Sequence, residues 1–282
     1  MSALAKLRAE RGRMSLMDRR IADFIEANAP LLRDYSSQQL ADALGLSQSS
    51  IVKFAQRMGF KGYPDLKLSV NEAVARAAAV LDVAGRAEAA VDEASARAEA
   101  LWLAKAAAEK QTRELNDSDT IARVATWLAK ADTLFLAGTG LDGDAVHTFG
   151  KRIALLGQRC ITSQQGGELL GAISAATRRD VMLVVCSDEQ GRRWLPCCRS
   201  LRAAGGRVIT IARRRQTGLT PAADAAVVIA AHDPLPHIDD LVYDAALRHL
   251  LDDLFMRVVA GRADAALTYR QNREQLRGIE AD

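Results

Sequence analysis

The chain has 282 residues, a hydrophobic share of 49% and a formal net charge of +3. That length suits two domains with packed cores, which excludes a mostly disordered chain. No apolar run is long enough to span a bilayer and the basic N-terminus lacks the apolar block of a signal peptide, so we expect a cytoplasmic protein without a membrane partner. The four cysteines form neither a CxxC pair nor a spaced ligand set, so no disulfide, metal site or cofactor is predicted.

The positive charge is concentrated near the N-terminus. Residues 1–70 carry 11 Lys and Arg against 7 Asp and Glu, which leaves the remainder slightly negative. This excess is modest, but it indicates that contact with nucleic acid would involve the N-terminal part of the chain.

Two short helices joined by a glycine are predicted in "SSQQLADALGLSQSSIVKFAQRMGF". The first is capped by Ser36 or Ser37, the chain turns at Gly45, and Ser47 caps the second. This spacing is typical of a helix-turn-helix, whose second helix enters the major groove of DNA.

The second helix carries side chains that suit base and phosphate contacts. Gln pairs bidentately with adenine, Lys donates to guanine, Ser hydroxyls bond to several bases, and Arg and Lys farther along meet phosphates. The residues assigned to DNA binding are Ser37, Gln48, Ser49, Ser50, Lys53, Arg57 and Lys61. The alternative is a small helical core whose polar residues face water.

A helical segment and then an α/β domain follow. Residues 71–115 are rich in Ala, Glu and Arg and predict one or two long helices with a break at Gly85, either pairing with a second subunit or acting as a solvated spacer. After Asp117, apolar runs alternate with amphipathic stretches, which predicts a three-layer domain with a parallel sheet. The predicted strands are 133–138, 159–163, 181–187, 206–212 and 225–230, and the predicted helices are about 142–157, 166–177, 191–204 and 238–260.

The stretch "SSQQLADALGLSQSSIVKFAQRMGFKGYPDLKLSV" resembles the N-terminal domain of the RpiR family of bacterial transcription regulators, and "LGLSQSSIVKFAQRMGF" is similar to its MurR branch. The resemblance implies an all-α helix-turn-helix domain in residues 1–75, a helical linker in 76–115, and an α/β three-layer sugar isomerase (SIS) domain with a five-stranded parallel sheet in 116–282.

The same resemblance implies a function. It predicts a repressor of sugar or amino-sugar metabolism that binds an inverted-repeat operator in double-stranded DNA as a homodimer or homotetramer and associates with the nucleoid when bound. The implied effector is a sugar or phosphosugar such as N-acetylmuramic acid 6-phosphate. An isomerase-type enzyme is one alternative, but no catalytic residue can be assigned. A DNA-binding dimer that takes no ligand is another.

Two loops bind the phosphosugar in SIS domains, and both depart from the family pattern here. In "GTGLDGD", Asp142 stands where the pattern has serine, and in "CSDEQGRR" only Ser187 matches before acidic residues interrupt. The residues assigned to ligand binding are Gly138, Thr139, Gly140, Asp142, Ser163, Ser187, Glu189, Gly191 and Arg192.

A carboxylate close to a phosphate repels it, so three interpretations stay open. Arg192, Arg193 or the run 213–215 replaces the lost hydroxyls as the phosphate contacts. Alternatively, the ligand is neutral or cationic and donates to Asp142 and Glu189. In the third interpretation, the domain binds nothing and only dimerises.

Overall fold

The computed structural model describes residues 2–85, 93–187, 189–233 and 236–280. The chain divides into two compact units. The N-terminal unit consists of Met1–Leu115 with Ala230–Val242, and the C-terminal unit consists of Asn116–Ile229 with Tyr243–Asp282. Among the described helices, none combines the length and the apolar character that crossing a membrane requires.

The N-terminal unit is built from helices. They are α1 (Ala3–Glu10), α2 (Leu16–Ala27), α3 (Ser37–Leu44), α4 (Gln48–Arg57), α5 (Tyr63–Gly85) and α6 (Glu93–Leu115), with 3₁₀ turns at Arg11–Arg13 and Ala29–Asp34. Ile21 and Ile25 of α2, Leu40 of α3, and Ile51 and Phe54 of α4 are fully buried in one core. The apolar stripes of α2, α3 and α4 therefore face one another.

Helix α3 begins and ends, and helix α4 begins, where the sequence predicts. Ser36 caps α3 in a reciprocal capping box with Gln39, and Ser47 caps α4 by accepting the Ser50 amide. Gly45 ends α3 with φ of 64°, a left-handed conformation that favours glycine. These helices form the predicted helix-turn-helix.

The segment Ala230–Val242 belongs with the N-terminal unit although it lies far along the chain. The Ala230 amide donates to Thr112 Oγ1 of α6 at 3.0 Å, and Thr112 is buried. The first residues of helix α11 (Pro236–Ala260) lie in this segment, whereas residues 243–260 belong to the C-terminal unit.

The C-terminal unit holds a five-stranded parallel sheet. Its strands are β1 (Thr133–Ala137), β2 (Arg159–Ser163), β3 (Val181–Cys186), β4 (Arg207–Ala212) and β5 (Ala225–Val228), in the spatial order β2-β1-β3-β4-β5. Its other helices are α7 (Ser118–Lys130), α8 (Leu141–Ala154), α9 (Gly166–Ile173), α10 (Leu195–Ala203) and α12 (Ala265–Glu280). The predicted strands are all present, which confirms the α/β prediction.

The helices differ more from the prediction. Helices α1, α7 and α12 were not predicted, although Ile121, Val124 and Leu128 give α7 a clear buried stripe. The predicted helix 191–204 begins instead as a 3₁₀ turn, Glu189–Trp194, and α10 starts only at Leu195. Pro196 explains this start, because proline lacks an amide hydrogen and therefore suits the first helical turn.

One face of the sheet packs against α9 and α10. Phe135 of β1, Met182 and Val184 of β3 and Val208 of β4 lie in one buried cluster with Leu169 of α9. On β1, Leu136 points to the opposite face, where a Cβ on Gly150 of α8 would lie 2.8 Å from the Leu136 side chain. Because helices cover both faces, access from solvent is left mainly at the edges.

Candidate functional site

The amino-terminal end of α4 is organised by the hydroxyl of Ser47. It accepts the Ser50 amide at 3.2 Å and hydrogen-bonds the hydroxyls of Ser49 at 2.9 Å and Ser50 at 2.8 Å. Ser49 is exposed and Ser50 is half-buried. The predicted DNA-binding serines are therefore held in fixed rotamers beside the open end of the helix.

Gln48 joins the two helices of the motif. Its Nε2 donates to Ser37 Oγ at 2.9 Å, which leaves the amide oxygen of Gln48 outside that bond. Lys53 is exposed farther along α4, and Lys61 is exposed before α5, where its amide donates to Asp65 at 2.9 Å. Gln48, Ser49 and Lys53 therefore form an exposed polar surface on α4.

Arg57 has a partner that the sequence did not predict. Its guanidinium donates to Asp18 Oδ1, in the first turn of α2, and the two side chains form a salt bridge. The Asp18 side chain is 8% exposed and that of Arg57 is 48% exposed. Arg57 therefore holds α4 against α2, whereas the prediction gave it only a phosphate contact.

The second candidate site lies at the carboxyl edge, by which we mean the edge of the sheet where the parallel strands end. Ala137, the last residue of β1, is in register with Ser163 of β2 and with Val184 of β3. The loops that follow these strands therefore emerge side by side. Strand order reverses between β1 and β3, and ligands of open α/β sheets bind at such a point.

Glycines shape the loop after β1. A Cβ on Gly138 would lie 2.8 Å from the backbone carbonyl carbon of Asp142, so only glycine fits at this position. Gly140 precedes α8 with φ of 56°. This tight turn folds the first turn of α8 back over the end of β1.

Asp142 is buried in this turn. Its Oδ2 accepts the backbone amide of Ser187, which follows β3, at 2.7 Å. Only 5% of the residue is exposed. Asp142 Oδ1 is fully buried. The two loops are thus joined by the Asp142 carboxylate.

The prediction missed Tyr243 of α11. Its hydroxyl is buried beside the Asp142 carboxylate. Burial, followed by the negative charge of Asp142 and a side-chain hydrogen bond to it, raises the pKa of Tyr243 well above its ordinary value, so the hydroxyl stays protonated. The Arg213 guanidinium lies over the ring, 4.2 Å from its centroid. Tyr243 could have been found in the sequence from its place in the stripe with Ala246 and Leu247.

The other residues assigned to ligand binding have these surroundings in the structure. Ser163 Oγ accepts the Gln165 amide at 2.9 Å and bonds to Glu168 at 3.0 Å, so it supports the start of α9. A Cβ on Gly191 would lie 3.0 Å from Cys186, so Gly191 fills a packing position. Thr139 is half-buried and Arg192 is exposed. The side chain of Glu189 lies outside the described part of the structure.

Residues 1–77 match the family model of a helix-turn-helix domain, rpiR family. The chain is also 29% identical, over 222 residues, to an uncharacterized HTH-type transcriptional regulator of Escherichia coli K12, YfhH. That match covers 78% of this chain and 77% of the E. coli protein.

Two solved structures are similar in fold. One is the Vibrio vulnificus NanR protein complexed with ManNAc-6P, which is 17% identical, with a TM-score of 0.58 and coverage of 100% of both chains. The other is the sugar isomerase domain of an RpiR transcription factor from Sphaerobacter thermophilus, 15% identical with a TM-score of 0.53, covering 62% of this chain and 96% of that one. The C-terminal unit therefore has the fold of a SIS domain.

Proposed function

We propose that this chain, whose residues 1–77 belong to the rpiR family of helix-turn-helix domains, is a sequence-specific transcriptional regulator that responds to a sugar-type ligand. One observation carries the proposal. The amino-terminal end of α4 presents Gln48, Ser49 and Lys53 to solvent on a helix that is firmly packed from behind by Ile51 and Phe54.

This surface suits the reading of bases in a major groove. Lys53 donates to guanine, and Gln48 contacts adenine once it exchanges its bond to Ser37 for one to the base. Lys61 contacts a phosphate and adds affinity without sequence preference. Arg57 acts first by holding α4 in position through Asp18, and this ion pair fixes the angle at which α4 is presented.

We assign the regulator to the repressors of sugar or amino-sugar metabolism. It binds an inverted repeat as a homodimer or homotetramer. Two-fold pairing of the helix-turn-helix units requires half-sites whose centres lie about 10 base pairs apart, or a multiple of that distance. The effector binds at the carboxyl edge and causes release of DNA by favouring one of two conformations of the protein. It can do so only because it binds one conformation more tightly than the other. The complex of the similar NanR protein with ManNAc-6P supports a sugar-type ligand.

The test is selection of duplexes by the full chain from a random pool, followed by binding titrations at one fixed salt concentration. We expect an enriched inverted repeat. The double variant Gln48→Ala with Lys53→Ala should lose the enrichment, whereas Lys110→Ala, an exposed lysine of α6 matched in charge to Lys53, should retain it.

Two outcomes oppose the proposal. If the wild type enriches no sequence, specific DNA binding is wrong. If the double variant enriches the same repeat as the wild type, α4 is not the helix that reads DNA. Turnover of a sugar phosphate by the purified chain would favour the enzyme over the regulator, since the SIS fold alone does not decide function.

A further inference from the structure

An open cavity lies at the amino edge, by which we mean the edge of the sheet where the parallel strands begin. Its volume is about 530 Å³, which falls within the range of small-molecule sites. The lining comes from the segments that precede β1 and β2 and from the turn between α11 and α12, and it includes Asp132, Gln158, Arg159 and Arg262. All of these residues belong to the C-terminal unit.

This cavity is separate from the carboxyl edge. Thr133 and Ala137 are the first and last residues of β1. A strand rises about 3.3 Å per residue, which places the two edges roughly 13 Å apart. A small molecule in the cavity therefore has contacts of its own, and the loops after β1 and β3 contribute none of them.

Gln158 holds Arg262 at the cavity. The residue is only 7% exposed, and its Nε2 donates to the carbonyl groups of Leu128 at 2.7 Å and Ala131 at 2.9 Å. Its Oε1 accepts from Nη1 of Arg262 at 3.2 Å. Gln158 thus satisfies two carbonyls at the carboxyl end of α7, and the guanidinium of Arg262 keeps N–H groups that its bond to Gln158 does not use.

The second cation of the lining, Arg159, is exposed and forms no ion pair or side-chain hydrogen bond with any residue that the structure describes. Two carboxylates at the amino edge have other partners. Asp132, which also lines the cavity, forms a salt bridge with Arg179, and the buried Asp180 accepts the amide of Thr133 at 2.9 Å. The two arginines of the cavity therefore remain without a carboxylate partner in the described part of the chain.

The chemistry of the two arginines selects the ligand. A guanidinium binds the oxygens of a phosphate or a carboxylate through two parallel N–H···O bonds. Two such groups in one cavity suit a ligand with a doubly charged oxyanion, such as a phosphate monoester or a dicarboxylate, whereas they repel a cation. The charge and the size of the cavity therefore indicate a small organic anion.

We propose that the amino edge of the C-terminal unit binds a small metabolite that carries a doubly charged oxyanion, and that Arg159 and Arg262 are its contacts. This site goes beyond the proposed function, because it uses no residue of α4 or of the carboxyl edge. A ligand that bonds to both arginines joins the turn between α11 and α12 to the start of β2. Binding therefore stabilises the C-terminal unit against unfolding.

The first test is calorimetric titration of the full chain at constant ionic strength. The probes are inorganic phosphate, glycerol 3-phosphate and succinate up to millimolar concentration, with glycerol as the neutral control. We expect binding of at least one of the three anions and none of glycerol. Tighter binding of the phosphates or of succinate supports the proposal and identifies the oxyanion. Binding of none of the three anions overturns it.

Charge-removing variants then assign the binding to the two arginines. Arg159→Gln and Arg262→Gln should each raise the dissociation constant of the effective anion about tenfold or more, which is the size expected for lost charge-assisted hydrogen bonds. Arg199→Gln, an exposed arginine of α10 outside the cavity, is the matched control and should leave that constant unchanged. An equal weakening in the control, or an unchanged constant in both cavity variants, overturns the assignment.

A final variant should bind more tightly, which a loss of folding cannot imitate. Asp132→Asn removes a negative charge from the lining and releases Arg179 from its salt bridge. The dissociation constant of the effective anion should therefore fall about threefold or more, because repulsion between like charges is removed. Unchanged or weaker binding in a folded Asp132→Asn chain overturns the placement of the anion in this cavity.

Discussion

Each unit of the molecule buries an aspartate in the first turn of a helix, but the two are bonded differently. Asp18 of α2 forms a salt bridge with Arg57, a cation from another helix. Asp142 of α8 receives one backbone amide and lies beside the hydroxyl of Tyr243. The two units therefore stabilise a buried carboxylate differently, by a cation in the N-terminal unit and by an amide and a hydroxyl in the C-terminal unit.

The same contrast holds for a buried tyrosine in each unit. Tyr63 at the start of α5 donates its hydroxyl to the carbonyl of Tyr35 at 2.9 Å. Tyr243 is equally buried, and its hydroxyl lies beside the Asp142 carboxylate instead of a backbone carbonyl. The buried hydroxyl thus meets a neutral acceptor in the N-terminal unit and a carboxylate in the C-terminal unit.

Removing the cation of the Asp18–Arg57 salt bridge should have the largest effect on stability. Arg57→Ala leaves the Asp18 carboxylate buried without its cation, and we expect a loss of about 2 to 4 kcal/mol in the free energy of unfolding. Arg11→Ala, which breaks the more exposed pair with Asp23, should cost less than about 1 kcal/mol. Chemical denaturation followed by far-ultraviolet circular dichroism measures both. Equal losses of stability in the two variants would mean that burial of Asp18 does not determine the energy of its salt bridge.

DNA binding should respond next most strongly, and differently at two lysines. Lys53→Ala should weaken binding to the selected repeat by about 1 to 3 kcal/mol and relax its sequence preference. Lys61→Ala should weaken binding to all duplexes alike and reduce the slope of log affinity against log salt by about 0.9. Titrations at several salt concentrations separate the two. A sequence-dependent loss in Lys61→Ala would contradict its assignment to phosphate.

The two tyrosines give a smaller and directly matched effect. Tyr63→Phe should cost about 1 kcal/mol or less, because the Tyr35 carbonyl still accepts from Lys67 Nζ at 2.9 Å. Tyr243→Phe should cost more, about 1.5 to 3 kcal/mol, because its hydroxyl lies against a carboxylate. Burial also raises the pKa of Tyr63 to about 12. The unfolded tyrosine ionises near pH 10, so the stability linked to this pKa difference is fully present below about pH 10 and is lost as pH rises toward 12. A smaller loss in Tyr243→Phe than in Tyr63→Phe, measured by chemical denaturation, would contradict the role of the carboxylate.

The smallest expected effect concerns thiol labelling, since we expect no labelling of the cysteines in the native state. All four cysteines, Cys160, Cys186, Cys197 and Cys198, lie in the C-terminal unit. Burial raises the pKa of Cys160 and of Cys198 to about 12, so at pH 8 neither forms the reactive thiolate. Labelling should therefore require unfolding of this unit, and Arg57→Ala should not accelerate it. Faster labelling in that variant would show that the N-terminal unit stabilises the sheet.

The sequence predicts much of this structure because its strongest signals are local. Largely apolar runs mark β1, β3, β4 and β5. Ser36 and Gly45 mark the limits of α3, and Ser47 marks the start of α4, through bonds that span three or four residues. Helix α1 was not predicted because its buried face is mostly alanine, which gives a weak apolar pattern. Local chemistry thus determines where elements begin and end.

The candidate sites are less predictable because their partners are distant in sequence. Arg57 and Asp18 are 39 positions apart, and nothing near either residue indicates the other. Asp142 was assigned to ligand binding, and nothing near it in the sequence indicates the Ser187 amide, which the end of β3 brings to it from 45 positions away. Whether a charged side chain faces solvent or a backbone amide depends on tertiary packing, and residue type alone does not record it.

The segment Ala230–Val242 limits where recombination can divide the chain. Since this segment belongs with the helix-turn-helix unit, and the Ala230 amide is bonded to Thr112, the two halves of the chain are interleaved in the gene. A recombination at residue 115 would give a new C-terminal domain to a DNA-binding unit that has lost part of its own structure. We therefore expect an exchange of C-terminal domains to give a folded chain only when the segment Ala230–Val242 stays with its own N-terminal unit.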